Sequence, residues 1–143
     1  MKYDRFVWDD SYSVNIALID EQHKHFFEIV NQSFDLLETD PKNKAGIFAI
    51  IDELVAYGKF HLSTEETYFE KFNFIHSKEH TISHNIFREK VDSYLLYLKS
   101  LKITEDADDL AGAVTTFAKN WLSQHILISD KEYITLFNEN GLR

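Results

Sequence analysis

Residues 61–84 read HLSTEETYFEKFNFIHSKEHTISH and hold two pairs of potential metal ligands, each four residues apart: His61 with Glu65, and His80 with His84. On a helix, residues at that spacing share one face about a turn apart, with roughly 5–6 Å between Cβ atoms, so each pair can aim at one point. The apolar residues of the same segments run through the ligands, not opposite them. Ile47, Ile50, Leu54, Gly58, His61, Glu65, Phe69 and Phe72 succeed one another at intervals of three or four, as do His80, His84, Phe87, Val91, Tyr94, Leu98 and Leu101. Both segments therefore read as amphipathic helices whose ligands face the core.

Working outward, the rest of the chain repeats this pattern. A first helix beginning near Asp20 carries the stripe Ile19, His23, Phe26, Val30, Phe34, Leu37 and stops at the ETDPKNK run around Pro41. A second runs from Lys42 or Lys44 to about Phe72, and a third follows the NFIHSK corner to about Leu101. The segment TEDADD, with Thr104 and its acids, suits the start of a fourth helix through Leu110, Val114, Phe117, Trp121 and His125. Residues 1–18, with Trp8, Tyr12, Val14 and Ile16, read as an extended arm, and residues 131–143 as a short tail with Tyr133, Leu136 and Phe137. Four amphipathic segments with short connections predict an all-α, up-down-up-down four-helix bundle over about residues 20–130, in a single domain spanning 1–143.

The bulk properties agree. At 143 residues, 44% hydrophobic and 15% aromatic, the chain can bury one core. Four glycines and one proline leave little turn chemistry for an all-β fold. The formal charge of −9 argues against nucleic acid or an anionic membrane as partner. No run is long and apolar enough to span a membrane, and the N-terminus lacks a signal-peptide core, so the expectation is a cytoplasmic protein. The absence of cysteine leaves only nitrogen and oxygen to hold a metal.

Each inward stripe carries polar residues that a core would exclude: His23, then His61 and Glu65, then His80 and His84, then His125, with Asp130 just beyond. Taken singly, an inward histidine is more simply a core residue bonded to a backbone carbonyl. Contribution from all four helices at once changes that balance, and two buried carboxylates would cost several kcal/mol each unless something positive sat among them. His25 lies about 200° round the helix from His23 and should face solvent. His76 continues the stripe of His80 and His84, and spacing alone allows either register. Glu66, about 100° from Glu65, reads as a solvated or supporting carboxylate.

Five histidines and two carboxylates exceed what one tetrahedral ion takes, so two metals are implied. If both carboxylates bridge, the histidines divide three and two, leaving one metal short of a ligand and open to a small diatomic molecule. The carboxylate-rich di-iron bundles place a Glu-x-x-His motif on two helices. Here the residues three before each histidine are Asp20, Gln22, Gly58, Asn73, Ser77, Thr81 and Leu122, none of them glutamate.

The chain resembles the hemerythrins over nearly its whole length: Trp8, the run YSVNI, IDEQHK around His23, HxxxEE at His61 to Glu66, HxxxH at His80 and His84 with Phe87, and WxxxHIxxxD from Trp121 to Asp130. The resemblance selects His80 and His84, followed by the aromatic Phe87, and leaves His76 outside. It implies two iron ions, one held by His80, His84 and His125 and the other by His23 and His61, bridged by Glu65, Asp130 and an oxo or hydroxo group. It further implies reversible binding of dioxygen at the iron with two histidines, beside a pocket lined by Trp121, Leu122 and Ile126, with Leu62 where many members have phenylalanine. Phe69 stands where many have methionine, and Phe74 and Ile75 where others have Tyr-Pro. These departures bear on pocket size and oxygen affinity, not on the ligands. The expected function is oxygen storage, delivery or buffering, not catalysis. The alternatives are a di-iron redox enzyme acting on peroxide or nitric oxide, and an oxygen-sensing module with a separate partner. Dioxygen is the implied partner, with a homo-oligomer left open.

Overall fold

The computed structural model describes residues 2–143 and contains five α-helices: α1 (Ala17–Thr39), α2 (Lys44–Lys71), α3 (Ser77–Lys99), α4 (Asp108–Ile128) and α5 (Ile134–Glu139). Short 3-10 turns lie at Asp10–Tyr12 and Asp130–Tyr133, and no strand occurs among the described residues. α1 to α4 form the expected four-helix bundle, in which α1 packs on α2 and α4, and α3 completes the ring between α2 and α4. Among the described residues, no helix is long and apolar enough to cross a membrane.

Local chemistry sets the helix ends. α1 starts three residues before Asp20, because Asp20 is committed to the arm. Its carboxylate accepts from Ser13 Oγ at 2.6 Å and from the Val14 amide at 2.8 Å, while its own amide donates to Ile16 at 2.9 Å. The Asn43 side chain caps α2 through the Gly46 amide at 2.9 Å. At the other end of α2, Asn73 takes the left-handed conformation (φ 55°). The Phe74 amide reaches back to the Phe69 carbonyl at 2.9 Å, and the Asn73 amide to Glu70 at 3.3 Å. That pattern is a Schellman motif, and its hydrophobic contact is Phe74 against Phe69, with ring centroids 5.0 Å apart. The corner fixes where α3 begins.

Three expectations need correction. Thr104 caps nothing: Ala107 precedes α4 without a side-chain cap, and Asp108 and Asp109 supply the acidic first turn. The loop before α4 is held instead by Lys44, which donates to the carbonyls of Lys102 (2.8 Å) and Glu105 (2.6 Å). The buried face of α4 is also rotated. Its core line runs through Ala111, Val114, Thr115, Ala118, Leu122, His125 and Ile126, with Leu110, Phe117 and Trp121 at its margin. Small residues at that line let α4 approach α1 closely, where Thr115 Oγ1 lies 2.7 Å from Ser33 Oγ. In α2, Ile51 is the buried neighbour, and Ile50 is only partly covered.

The arm lies along α1. Asn31 brackets Phe6, accepting from its amide at 2.7 Å and donating to its carbonyl at 2.8 Å, and Phe6 stacks on Phe27. Arg5 forks onto Glu38 and reaches Asp35. The tail is more than an appendage. Tyr133 and Phe137 are fully buried and stack at 4.3 Å, closing the end of the bundle over Phe69.

Candidate metal centre

The helices bring all seven inward residues together at that closed end. His23, His61, Glu65, His84 and Asp130 have no exposed surface, and His80 and His125 retain 4% each. Every one of the five imidazoles presents Nε2 to the interior. His80 Nε2 lies 2.8 Å from His125 Nε2, which in turn is 3.2 Å from His84 Nε2. His23 Nε2 and His61 Nε2 face each other at 3.0 Å. Two sets of donors emerge, each with its atoms within 4.8 Å of one another: Glu65, His80, His84, His125 and Asp130 in one, and His23, His61, Glu65 and Asp130 in the other.

Glu65 and Asp130 belong to both. Asp130 Oδ1 lies 3.0 Å from His80 Nε2 and 3.1 Å from His125 Nε2, while its Oδ2 lies 3.3 Å from His23 Nε2. Glu65 Oε1 stands 3.4 Å from His61 Nε2 and 3.3 Å from His84 Nε2. The other Glu65 oxygen accepts from the Tyr133 hydroxyl.

This arrangement fits a cation. Glu65 Oε1 and Asp130 Oδ2 are buried without a hydrogen-bond partner among the described residues, a state that a positive ion relieves and that is otherwise costly. Burial and Asp130 both push the Glu65 carboxyl up, but His61 and His84 outweigh them and hold it below the usual range. Burial likewise opposes ionisation of Asp130, and His125, His23 and His80 bring it well below that range. Burial lowers His61, and Glu65 offsets only part of that. Desolvation alone would lower His84 too, yet Glu65 and Glu66 raise it to about 9.

A shell of outer partners orients the rings. The Thr64 hydroxyl donates to the Phe60 carbonyl at 3.1 Å, so its oxygen accepts from Gln22 Nε2 at 3.3 Å. Gln22 Oε1 is thereby turned to His61 Nδ1 at 2.8 Å, which makes that nitrogen the donor and leaves the Nε2 lone pair facing inward. His84 Nδ1 donates to Glu66 Oε2 at 2.8 Å, and Arg88 grips Glu66 with two N–H groups at 2.7 and 2.8 Å. Burial would raise Glu66, but His84 and Arg88 bring it down to about 2, so it is a carboxylate. His125 Nδ1 lies 3.2 Å from Ser83 Oγ.

The remaining candidates fall into place around this cluster. Leu62, Leu122 and Ile126 are fully buried, and Trp121 lies flat against His125 with centroids 4.3 Å apart. His25 is exposed beside Glu28. His76 is exposed at the N-cap of α3 and belongs to neither donor set. A cavity of about 620 Å³ lined by His76, Glu79, Ser129 and Glu132 opens onto His80. Sequence reasoning missed Tyr133, Gln22, Ser83 and Arg88. Only Arg88 had a local signal, lying four residues after His84 and so on the same helix face.

Comparison with known proteins accords with this architecture. The chain is 35% identical over 133 residues to a bacteriohemerythrin of Clostridium acetobutylicum, covering 90% of this chain and 98% of that protein. A bacteriohemerythrin of Pseudomonas aeruginosa is 30% identical over 128 residues, covering 90% of this chain and 78% of its relative. A crystal structure of wild-type hemerythrin superposes with a TM-score of 0.79 at 25% identity, covering 92% of this chain and 96% of that one. The family model described as the hemerythrin HHE cation binding domain matches residues 14–137, which takes in every member of the buried cluster. The chain belongs to the hemerythrin family.

Proposed function

We propose that this protein binds dioxygen reversibly at a pair of iron ions, for storage, delivery or local buffering of oxygen. One observation carries the reading: Glu65 and Asp130 are shared between a set of three histidines and a set of two. Equal sharing of the carboxylates with unequal sharing of the histidines leaves the His23 and His61 half one ligand short, and that shortfall is room for a small ligand. His80, His84 and His125 would hold the other ion, and a bridging oxo or hydroxo group would complete the pair.

Iron held by these residues would supply the electrons for reversible oxygen capture. The protein's own groups keep the site from doing more. Gln22 and Glu66 lock the tautomers of His61 and His84, so neither ring is free to shuttle protons. Tyr133 is committed to Glu65, and burial together with the two carboxylates holds its hydroxyl well above the ordinary range, so it stays protonated. Leu62, Leu122 and Ile126 add apolar bulk to the buried interior and help exclude water. Neither of these rings nor the Tyr133 hydroxyl stands ready as a general acid or base for turnover.

The test is the visible spectrum of anaerobically reduced, iron-loaded protein before oxygen, after oxygen, and after oxygen is removed, with metal content measured on the same sample. A charge-transfer band that appears with oxygen and vanishes under argon, with two irons per chain, is the expected result. A band that never forms, or that decays to an oxidised centre argon does not reverse, overturns the carrier reading and points to redox turnover of peroxide or nitric oxide.

A further inference from the structure

The outward nitrogens of His84, His61, His125 and His23 meet unlike surroundings. His84 Nδ1 donates to a carboxylate, Glu66, at 2.8 Å. His61 Nδ1 donates to the neutral amide of Gln22 at 2.8 Å, and His125 Nδ1 meets the hydroxyl of Ser83 at 3.2 Å. His23 Nδ1 is buried with no hydrogen-bond partner among the described residues. A carboxylate draws the Nδ1 proton toward itself and makes the opposite nitrogen a stronger donor to a metal, which an amide or a hydroxyl does only weakly. The charged support is therefore confined to the half of the cluster that has three histidines.

Glu66 is not a free carboxylate. Its Oε2 is shared between His84 Nδ1 and Arg88 Nη1 at 2.7 Å, and its Oε1 accepts from Arg88 Nη2 at 2.8 Å. Arg88 also donates to Asn85 Oδ1 at 3.1 Å, which fixes the fork. An arginine bound in this two-pronged way neutralises the carboxylate it holds. The more of the Glu66 charge Arg88 absorbs, the less reaches His84. The two residues thus act on one imidazole with opposite sign, from a position outside the ligand cluster where both remain partly exposed.

We infer that Glu66 and Arg88 are positioning residues that set the reduction potential of the metal held by His84, Glu66 lowering it by strengthening His84 as a donor and Arg88 limiting that effect. The inference rests on the reading that the cluster holds iron. It also gives the two halves different electronic character, since the His23 and His61 half has no charged support.

The experiment is a redox titration of iron-loaded wild-type protein, Glu66→Gln and Arg88→Met, with iron content and helix content measured on each. Glu66→Gln should raise the midpoint potential, by about 59 mV for a tenfold loss of preference for the oxidised ion in a one-electron step. Arg88→Met keeps the side chain's length, removes its charge, and should lower the potential. Arg88→Lys, which retains the charge without the fork, should lie between Arg88→Met and wild type. In zinc-loaded protein, which has no redox chemistry, Glu66→Gln should weaken metal binding by about 10–100-fold and Arg88→Met should not weaken it. A general disturbance of packing would move both variants the same way. Shifts of like sign, or no shift in variants that load iron, overturn this inference and leave the iron reading intact. A wild-type protein that takes up no iron overturns both.

Discussion

The Tyr133 hydroxyl donates to Glu65 Oε2, joining the turn after α4 to the C-terminal part of α2 across 68 residues of sequence. The contact puts the C-terminal segment into the metal cluster. Glu65 turns one oxygen to His61 and His84 and is held through the other by Tyr133.

Tyr133→Phe removes that hydrogen bond and leaves the ring stacked on Phe137. Losing a bond to a buried charged group costs about 1.5–3 kcal/mol. Urea denaturation of the metal-free protein should show a loss of that size with unchanged helix content, and the variant should release metal to a chelator faster than wild type. Equal stability and equal release would deny Tyr133 this role.

Replacing either shared carboxylate should be far more severe. Glu65→Ala and Asp130→Ala are expected to abolish iron uptake and destabilise the bundle, since each serves both donor sets. His25→Ala and His76→Ala, both at exposed positions, should keep full metal content. Metal analysis after loading decides this. If His76→Ala lost iron while His84→Ala kept it, the assignment of the α3 ligands would be wrong.

Gly58 sits inside α2, where alanine would ordinarily be favoured by about 1 kcal/mol. A Cβ there would lie 2.9 Å from Phe87 Cε1 and 3.2 Å from Phe26 Cε2, and both rings are fully packed. Overpacking of this kind costs about 1–3 kcal/mol, so Gly58→Ala should be destabilising on balance. A thermal melt at or above the wild-type midpoint would show that the rings move aside freely.

The arm should respond to acid. The Arg5 side chain, and then the Tyr3 amide, hold Glu38 below its ordinary value of 4.5. A group whose pKa falls on folding contributes stability that is present above its unfolded value and lost as pH drops through the folded one. Metal-free wild type should therefore lose part of its stability below pH 4.5, and Glu38→Gln should be less stable at pH 7 but converge with wild type in acid. Melting curves at pH 7 and pH 3 test the sign. A gap that widened in acid would reverse it.

Much of this molecule was legible in its residues. Hydrophobic intervals of three and four placed four helices and turned His23, His61, Glu65, His80, His84 and His125 inward, because on a helix that spacing alone decides which side chains share a face. The α4 line was one residue out: large apolar residues such as Phe117 and Trp121 drew the stripe toward themselves, whereas close approach to α1 selects Ala111, Thr115 and Ala118. Spacing left His76 and His84 as rivals. The Schellman corner at Asn73, seated by Phe74 against Phe69, starts α3 after His76 and leaves that residue exposed. Tyr133, Gln22, Ser83 and Arg88 reach the cluster from segments 22 to 68 residues away from their partners. By itself the sequence determined the four bundle helices and which polar side chains turn inward on them, since both follow from local periodicity. Only the tertiary structure decided which outer group meets which ring, because those pairings depend on how the helices rotate and where the chain folds back.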